Sequence, residues 1–363
     1  MADLLKVENI RCSDAEWPIR KPLSLRLKEG EIGVILALGR PIADTLLRAI
    51  QGQVGLDAGR IVLAGDPIAG GGTGISSVGR NCRLVPADGA LVPHLSVAQN
   101  IQLVMRGLNK RQRQEQLDQL LDEVDLLHAA DLLADHLPAE ERQRTALARA
   151  LVAQPQLLLW QEPFAPYPEG EQMALVDEIE QILQARRLTC LITTANVRTG
   201  MALAQRLGVC DDERLLQWDS PERLYHCPAQ RDVARATGNG VFLQGFVQPD
   251  NSLSSELGGL RFSQDNDWIR TGKPIEFLLR PEHVRFEKRG LRCATITSKR
   301  FLGGYIDYRL LLEEGSVIPV TAPSQIDLAL GKKFCFRVDM PHLMVFRPDK
   351  EEPVDLGRAY SIG

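Results

Sequence analysis

The chain has 363 residues, of which 44% are hydrophobic, and it carries a formal net charge of -4 at pH 7 with a pI near 6.0. This length allows more than one packed core, and the slightly acidic balance argues against a nucleic-acid-binding protein. The N-terminal residues lack the basic and apolar regions of a signal peptide, and no apolar run approaches the roughly 20 residues of a membrane-spanning helix.

The first predicted elements are strands followed by one helix. Apolar and polar residues alternate at residues 5–10 and 23–27, and the continuous apolar run at 33–38 is typical of a central strand buried on both faces. Residues 45–51 have helical character. Residues 59–65 are predicted to form an edge strand that ends in a turn.

The middle of the chain indicates an α/β domain with an inserted helical block. The helical block covers residues 95–135, and a further helix starts at Arg142. It leads into an apolar strand at 157–161, a helix at 176–183 and a buried strand at 189–194. Strands that alternate with helices predict a mainly parallel sheet.

The pattern changes near residue 235. Residues 242–348 show short alternating strands, turn signals and few helical runs, which predicts a separate, barrel-like all-β domain. We therefore expect an α/β domain over residues 1–235, with a helical subdomain at about 95–150, and a β-barrel domain over residues 236–363.

Cysteine and histidine spacings give no sign of a metal site. The seven cysteines are scattered without a CxxC pair, and the six histidines show no ligand spacing. We expect reduced, mostly buried thiols in a cytoplasmic protein.

Three segments resemble the ATP-binding subunits of ABC importers. The helix motif QRTALARAL at 143–151, followed by LLLWQEP at 157–163, is similar to the core of the ABC ATPases. Residues 85–101 resemble the Q-loop and the segment after it, with a run similar to the ferric-iron importer branch. Residues 279–285 resemble an Arg-Pro-Glu element in the C-terminal oligonucleotide-fold (OB)-like domain of that importer class. The resemblance implies a P-loop α/β domain with a helical subdomain, then an OB-like domain.

The implied phosphate-binding loop is degenerate. Such a loop needs glycines, a lysine that reaches the β- and γ-phosphates, and a hydroxyl that binds Mg²⁺. The motif positions GxxxxGK followed by Ser or Thr fall on Ala37, Ile42, Ala43 and Asp44. Ala43 removes the cation, Asp44 places a carboxylate beside the phosphates, and Thr45 supplies a hydroxyl one position late. Pro41 has no N–H to donate. An ordinary strand-turn-helix is favoured, with Asp44 as a weak candidate ligand for Mg²⁺.

Most other positions implied by the resemblance are also altered. The strand-end aspartate corresponds to Gln161, the general base to Glu162, the Q-loop glutamine to Ala87 and the switch histidine to Thr194. Glu162 is therefore the only retained catalytic candidate. Trp17 is a candidate to stack on adenine, with simple packing as the alternative.

The signature segment, which in the family holds the γ-phosphate of the opposite subunit, is replaced as well. Its positions after Leu137 are Pro138, Ala139, Glu140 and Glu141. Pro138 is expected at the first helical position, and two carboxylates in the first turn suit a helix start. They also repel a triphosphate. Each composite ATP site uses one chain's P-loop and the other chain's signature, so both sites of a homodimer are expected to be defective.

Three functions remain open. The first is a subunit that docks a membrane permease, peripheral at the inner face of the membrane, with impaired ATP binding and hydrolysis. The second is a working ATPase that uses ATP and Mg²⁺ to energise import, with ferric iron as a candidate substrate. The third is a ligand-binding module in the β domain. We expect a homodimer and permease partners in the first two cases, and neither nucleic acid nor another cofactor.

Overall fold

The chain divides into two compact units. A computed structural model describes residues 2–13, 16–37, 42–70, 73–74, 79–250, 252–263, 274–290, 292–346 and 353–362. The units are Met1–Pro221 and Glu222–Gly363. The division in the structure lies earlier than the boundary at residue 235 expected from the sequence. The reason is that the helix Arg231–Thr237 accepts a hydrogen bond from Arg280 and so belongs to the second unit.

An antiparallel sheet opens the first unit. Its strands are β1 (Asp3–Cys12), β2 (Ile19–Lys28), β4 (Ala58–Leu63), β5 (Asp66–Gly70) and β6 (Thr73–Gly74), in the order β2-β1-β4-β5-β6. The prediction of an edge strand at 59–65 was wrong, since β4 pairs with β1 on one side and with β5 on the other. Strand β5 is too short to give a clear alternating pattern in the sequence.

The central sheet of the first unit is mainly parallel, as predicted. Its strands are β3 (Ile32–Leu36), β7 (Cys82–Val85), β8 (Leu157–Gln161), β9 (Thr189–Thr194), β10 (Arg206–Cys210) and β11 (Leu215–Asp219). The order is β11-β10-β3-β9-β8-β7, and only β11 is antiparallel to its neighbour. Residue 38, which the sequence assigned to β3, lies outside the described residues.

Six helices lie within the first unit as described. They are α1 (Ile42–Gln51), α2 (Val97–Gln102), α3 (Lys110–Glu123), α4 (Ala139–Leu151), α5 (Gln172–Ala185) and α6 (Val197–Leu203). Ser96 and Asn109 cap α2 and α3 with reciprocal side-chain bonds to Gln99 and Gln112, which fixes both helix starts. Both sheets and α1 share one apolar core that includes Leu5, Ile35 and Leu46. Among the described residues, every helix is too short or too polar to cross a bilayer.

The second unit contains two short helices and antiparallel strands. They are α7 (Pro221–His226, which begins at the boundary), α8 (Arg231–Thr237), β12 (Val241–Val247), β13 (Ser252–Ser255), β14 (Gly258–Phe262), β15 (Pro274–Leu279), β16 (Val284–Phe286), β17 (Arg292–Phe301), β18 (Tyr305–Leu311), β19 (Val317–Pro323), β20 (Lys333–Met340), β21 (Met344–Phe346), β22 (Val354–Asp355) and β23 (Ala359–Ser361). They form one connected sheet, β19-β18-β17-β20-β23-β14-β13-β12-β15-β21-β22, with β16 paired to β20. Alternating inward residues, such as Phe277 and Phe334, fill its core.

One cysteine pair departs from the expected reduced state. Cys293 of β17 and Cys335 of β20 lie directly opposite each other and form a disulfide. The sequence could not show this because the pairing depends on strand register. The other five cysteines form no disulfide, and four of them are buried: Cys12, Cys82, Cys190 and Cys210.

Arg280, in the Arg-Pro-Glu element, has a structural role in the second unit. Its side chain is only 1% exposed. One terminal nitrogen donates to the carbonyl oxygens of Ala234 (3.0 Å) and Gly238 (2.8 Å). The other donates to the carbonyl of Tyr225 (3.0 Å) and the hydroxyl of Thr237 (3.1 Å). The guanidinium also lies 4.2 Å from the centre of the Tyr225 ring. Arg280 thus bonds the end of β15 to the segment that contains α7 and α8.

Candidate functional site

The predicted catalytic residues meet at the carboxyl edge of the central sheet. Strand β9 lies between β3 and β8, so that Leu36 pairs with Thr194 and Gln161 pairs with Thr193. The N–H of Ala37 donates to the carbonyl of Thr194 at 2.8 Å. Helix α1 starts beyond this edge, after residues 38–41, which lie outside the described residues and include Pro41. The carboxyl edge of a parallel sheet is the usual position of a binding site in an α/β fold.

Asp44 and Gln161 form the central contact of this edge. Burial raises the pKa of the Asp44 carboxyl group, and polar contacts from Gln161 and Thr193 together with the charge of Arg48 oppose this shift in part. Thr193 is fully buried, and its hydroxyl oxygen makes no well-formed hydrogen bond to a described residue. The resemblance implies a hydroxyl on α1 and a carboxylate on β8, whereas this chain has a carboxylate on α1, at Asp44, and a neutral amide on β8, at Gln161.

Glu162 follows β8 in a conformation that few residues adopt. Its φ is 46°, and its N–H donates to the carbonyl of Thr193 at 2.8 Å. Its carboxylate accepts from the N–H of Ala195 at 3.1 Å. Burial raises the pKa of Glu162 most, bonds from Ala195 and Thr194 lower it, and the charge of Asp44 raises it further. A raised carboxyl pKa suits a general base near neutral pH.

The side chains at the other described P-loop positions pack in the core or bond to the backbone. Ile42 and Ala43 belong to the apolar core, and Ala43 is 1% exposed. The hydroxyl of Thr45 donates to the carbonyl of Trp17 at 2.7 Å and is therefore already satisfied. Trp17 is 52% exposed, and both alternatives for it, stacking on adenine and simple packing, stay predictions.

The donor set at this edge fits a hard cation better than it fits a triphosphate. Oxygen atoms of Asp44, Gln161 and Thr193 are the kind of ligand that Mg²⁺ prefers, and Glu162 is nearby. At Ala43, where the family has a lysine, the structure has a buried methyl group. Mg²⁺ would supply charge neutralisation here, whereas position 43 offers no cation to the phosphates.

The signature positions lie on a different element, the start of α4. Pro138 is the residue before the first helical residue, Ala139, rather than the first helical residue itself, as its ψ of 159° is extended. Glu140 and Glu141 occupy the first turn. The carboxylate of Glu141 lies 3.1 Å from Nε2 of His128. The structure therefore keeps the helix start and gives it negative charge.

Gln143 connects three elements, a role that the sequence reasoning missed. Its amide nitrogen donates to the carbonyl oxygens of Pro86 (2.9 Å) and Ala87, and its amide oxygen accepts from Nε1 of Trp160 at 3.0 Å. Ala87, at the Q-loop position, thus contributes only its backbone to this contact. The glutamine at the head of the QRTALARAL motif was the available signal.

Comparisons with known proteins agree with this architecture. Residues 21–165 match the ABC transporter family, and residues 277–346 match the TOBE domain. The chain is 28% identical to the molybdate/tungstate import ATP-binding protein WtpC of Pyrococcus horikoshii, over 90% of this chain and 94% of that protein. It is 33% identical to the Fe(3+) ions import ATP-binding protein FbpC of Pseudomonas fluorescens, over 77% of this chain and 78% of that protein.

A solved structure shares the fold. It is cbiO1 from Clostridium perfringens, part of the ABC transporter complex cbiONQ, with a TM-score of 0.56 and 21% identity over 62% of this chain and 91% of that one. The α/β domain with a helical subdomain and the all-β OB-like domain expected from the sequence are confirmed. The chain belongs to the family of ATP-binding subunits of ABC importers, in the class that carries a C-terminal TOBE domain.

Proposed function

We propose that this protein docks a membrane permease as an importer subunit and that its ATP binding and hydrolysis are impaired. Asp44, which lies beside Gln161, carries the proposal, because it puts a carboxylate at the position where the resemblance implies a hydroxyl. Ala43 adds to the defect, since a charge-assisted hydrogen bond from a lysine is worth about 1.5–3 kcal/mol. Glu140 and Glu141 extend the negative charge to the signature positions.

Nucleotide binding tests the impairment. We expect no saturable binding of a fluorescent ATP analogue to the purified full chain at millimolar nucleotide, with or without Mg²⁺. The matched variant is Asp44→Asn, which removes the negative charge and keeps the side-chain shape. Tight Mg²⁺-dependent binding that Asp44→Asn abolishes would overturn the proposal and assign Asp44 to the metal.

A working ATPase is the second candidate, and Glu162 is the observation that favours it. Its raised pKa and its position after β8 suit a residue that activates water. Phosphate release from MgATP measures this activity, with Glu162→Gln as the variant that removes the base. Turnover that Glu162→Gln eliminates would support the second candidate over the first.

The permease is proposed to dock in a groove of the first unit. The groove has a volume of about 340 Å³ and is lined by Arg83, Val104, Arg106 and Arg149 together with small apolar side chains. Arg149 also donates to the carbonyl oxygens of Gly89 and Ala90, which connects the groove to the segment at 88–100. Apolar walls with three guanidinium groups suit an amphipathic helix that carries acidic residues.

Docking of this kind would put the protein at the inner face of the membrane, and the family resemblance supports a homodimer with permease partners. The specificity for the transported substrate is expected to lie with those partners. The relatives import molybdate, tungstate or Fe(3+) by their names, so ferric iron stays one alternative. A ligand-binding role for the β domain is the third alternative.

A further inference from the structure

Three different metal-ligating side chains converge in the second unit. Cys227 follows α7, His342 lies between β20 and β21, and Asp355 ends β22. One sulfur, one nitrogen and one oxygen atom from these residues all lie within 4.8 Å of one another. All three side chains are partly buried, so solvent ions can reach them.

The geometry directs the three donor atoms to one point. Nδ1 of His342 lies 2.6 Å from Oδ2 of Asp355, and Sγ of Cys227 lies 3.9 Å from the same oxygen. The other carboxylate oxygen of Asp355 accepts from the N–H of Gly357 at 2.8 Å, which orients the carboxylate. The His226 ring lies 6.1 Å from the His342 ring.

We propose that Cys227, His342 and Asp355 bind a divalent cation that accepts thiolate, with Zn²⁺ as the type. Zinc takes sulfur at about 2.3 Å, imidazole nitrogen at about 2.0–2.1 Å and carboxylate oxygen at about 2.0–2.2 Å. Donors at those lengths around a tetrahedral ion are roughly 3.3–3.6 Å apart, so a small adjustment of the present side chains is sufficient. Mg²⁺ and Ca²⁺ are disfavoured because they prefer oxygen donors only.

The protons balance in a simple way. The Cys227 thiol loses its proton to solvent when the sulfur binds the cation. The His342 ring binds as a neutral imidazole through Nδ1, so its remaining proton resides on Nε2. Asp355 contributes its negative charge, and the site therefore releases protons as it fills.

A cysteine nucleophile is a less suitable interpretation of the same residues. In a nucleophilic arrangement the thiol faces one ring nitrogen and the carboxylate faces the other. Here the thiol and Nδ1 of His342 both approach the same oxygen of Asp355. Three protein ligands leave a fourth position for water or for a small anionic ligand.

Filling the site would join three segments that are distant in sequence. The cation would tie Cys227, just after α7, to the turn at His342 and to Asp355 near the C-terminal end. Because an ion that binds the folded state stabilises it, Zn²⁺ is expected to stabilise the second unit. The inference does not depend on whether the first unit hydrolyses ATP.

Cobalt titration of the metal-free full chain tests the proposal. We expect one equivalent of Co²⁺ to produce a thiolate-to-cobalt charge-transfer band and the strong visible bands of a tetrahedral ion, with Zn²⁺ displacing both. Cys227→Ser should abolish the charge-transfer band, and Asp355→Asn should weaken binding about tenfold or more while keeping the side-chain shape. His136→Ala, at an exposed histidine of the first unit, is the matched control and should leave the titration unchanged.

Two results would overturn the site. One is the absence of a charge-transfer band at Co²⁺ concentrations well above that of the protein. The other is a band that persists in Cys227→Ser, which would place the sulfur ligand elsewhere. Circular dichroism of Asp355→Asn, whose fold should be unchanged, ensures that lost binding reflects a lost ligand.

Discussion

Single residues decide the charge at the nucleotide edge. The family resemblance assigns a hydroxyl to position 44 and a carboxylate to position 161, but this chain has a carboxylate on α1, at Asp44, and a neutral amide on β8, at Gln161. Glu162 lies close enough for Asp44 to raise its pKa. The edge therefore holds two carboxyl groups beside the neutral amide of Gln161.

The contact between Asp44 and Gln161 predicts strong coupling between the effects of substitutions at these two positions on stability. Gln161→Asp alone should destabilise the first unit, because it adds a third carboxylate beside Asp44 and Glu162. Adding Asp44→Thr should restore most of the lost stability, with a coupling energy of about 1–3 kcal/mol. Denaturant unfolding of both single variants and the double variant measures it. Simple additivity of the two changes would contradict the contact.

His283 predicts acid sensitivity of the second unit. Burial, the largest cause, acts together with the charges of Arg280, His226 and His342 to lower the pKa of His283 from 6.5 to about 4, and Asp339 opposes them. Between these values the unfolded chain binds more protons than the folded chain, so stability is complete above pH 6.5 and falls as the pH decreases towards 4. The loss is roughly 3 kcal/mol. Denaturant unfolding of the second unit at pH 7 and pH 4.5 measures it.

The control for this effect is His283→Gln, which keeps a polar side chain and does not titrate. Its bond from the N–H of Arg280, now 3.2 Å from Nδ1 of His283, can be retained by the amide oxygen. The pH dependence in this window should become markedly smaller. An unchanged profile would assign the acid sensitivity to other groups.

Helix α4 keeps a stable start, but its first turn carries negative charge where the resemblance implies phosphate binding. In α4 the carboxylates of Glu140 and Glu141 interact favourably with the N-terminal end of the helix dipole. The same charges repel a triphosphate that approaches along the helix axis. The helix therefore stabilises the fold with residues that oppose the function implied by its position.

Arg280 carries a second prediction about elements. Arg280→Met keeps much of the side-chain volume but removes every bond to the α7–α8 segment, leaving buried carbonyl groups such as that of Ala234 unsatisfied. We expect the free energy of unfolding of the second unit to fall by roughly 3–4 kcal/mol. Arg285→Met, at a largely exposed residue of β16, should cost less than about 1 kcal/mol. Equal effects of the two variants in denaturant unfolding would contradict this role.

The whole molecule combines two defects if the composite ATP site of the family applies. The P-loop positions contribute Asp44 to one half of such a site, and the signature positions contribute Glu140 and Glu141 to the other half. A nucleotide between two copies would meet carboxylates on both sides. ATP is therefore not expected to hold two chains together.

Sedimentation velocity with and without MgATP tests this expectation. The proportion of dimer should not change on addition of millimolar MgATP, because the repulsion from both halves offsets any gain from binding. The Glu162→Gln variant provides the control, since it prevents hydrolysis from removing the nucleotide. A dimer that forms only with MgATP would contradict the proposed impairment.

Some features of the molecule were predictable from local pattern alone. Helix α4 and strand β8 follow from their periodicity, and the capping residues Ser96 and Asn109 mark helix starts. Strand β4 was wrongly predicted to lie at the edge of its sheet, because its partner β5 is too short to be recognised from the sequence. The Cys293–Cys335 pair depends on strand register, which no local pattern encodes.

The amino-acid sequence was enough to predict the family, the order of the elements and the loss of the usual catalytic residue types. These depend on side-chain identity and on spacing along the chain. The fold was needed to show that Asp44 contacts Gln161, that Gln143 connects three segments and that Cys227 lies near His342. Such contacts join residues far apart in the chain, and their existence depends on how the strands and helices pack rather than on any one segment.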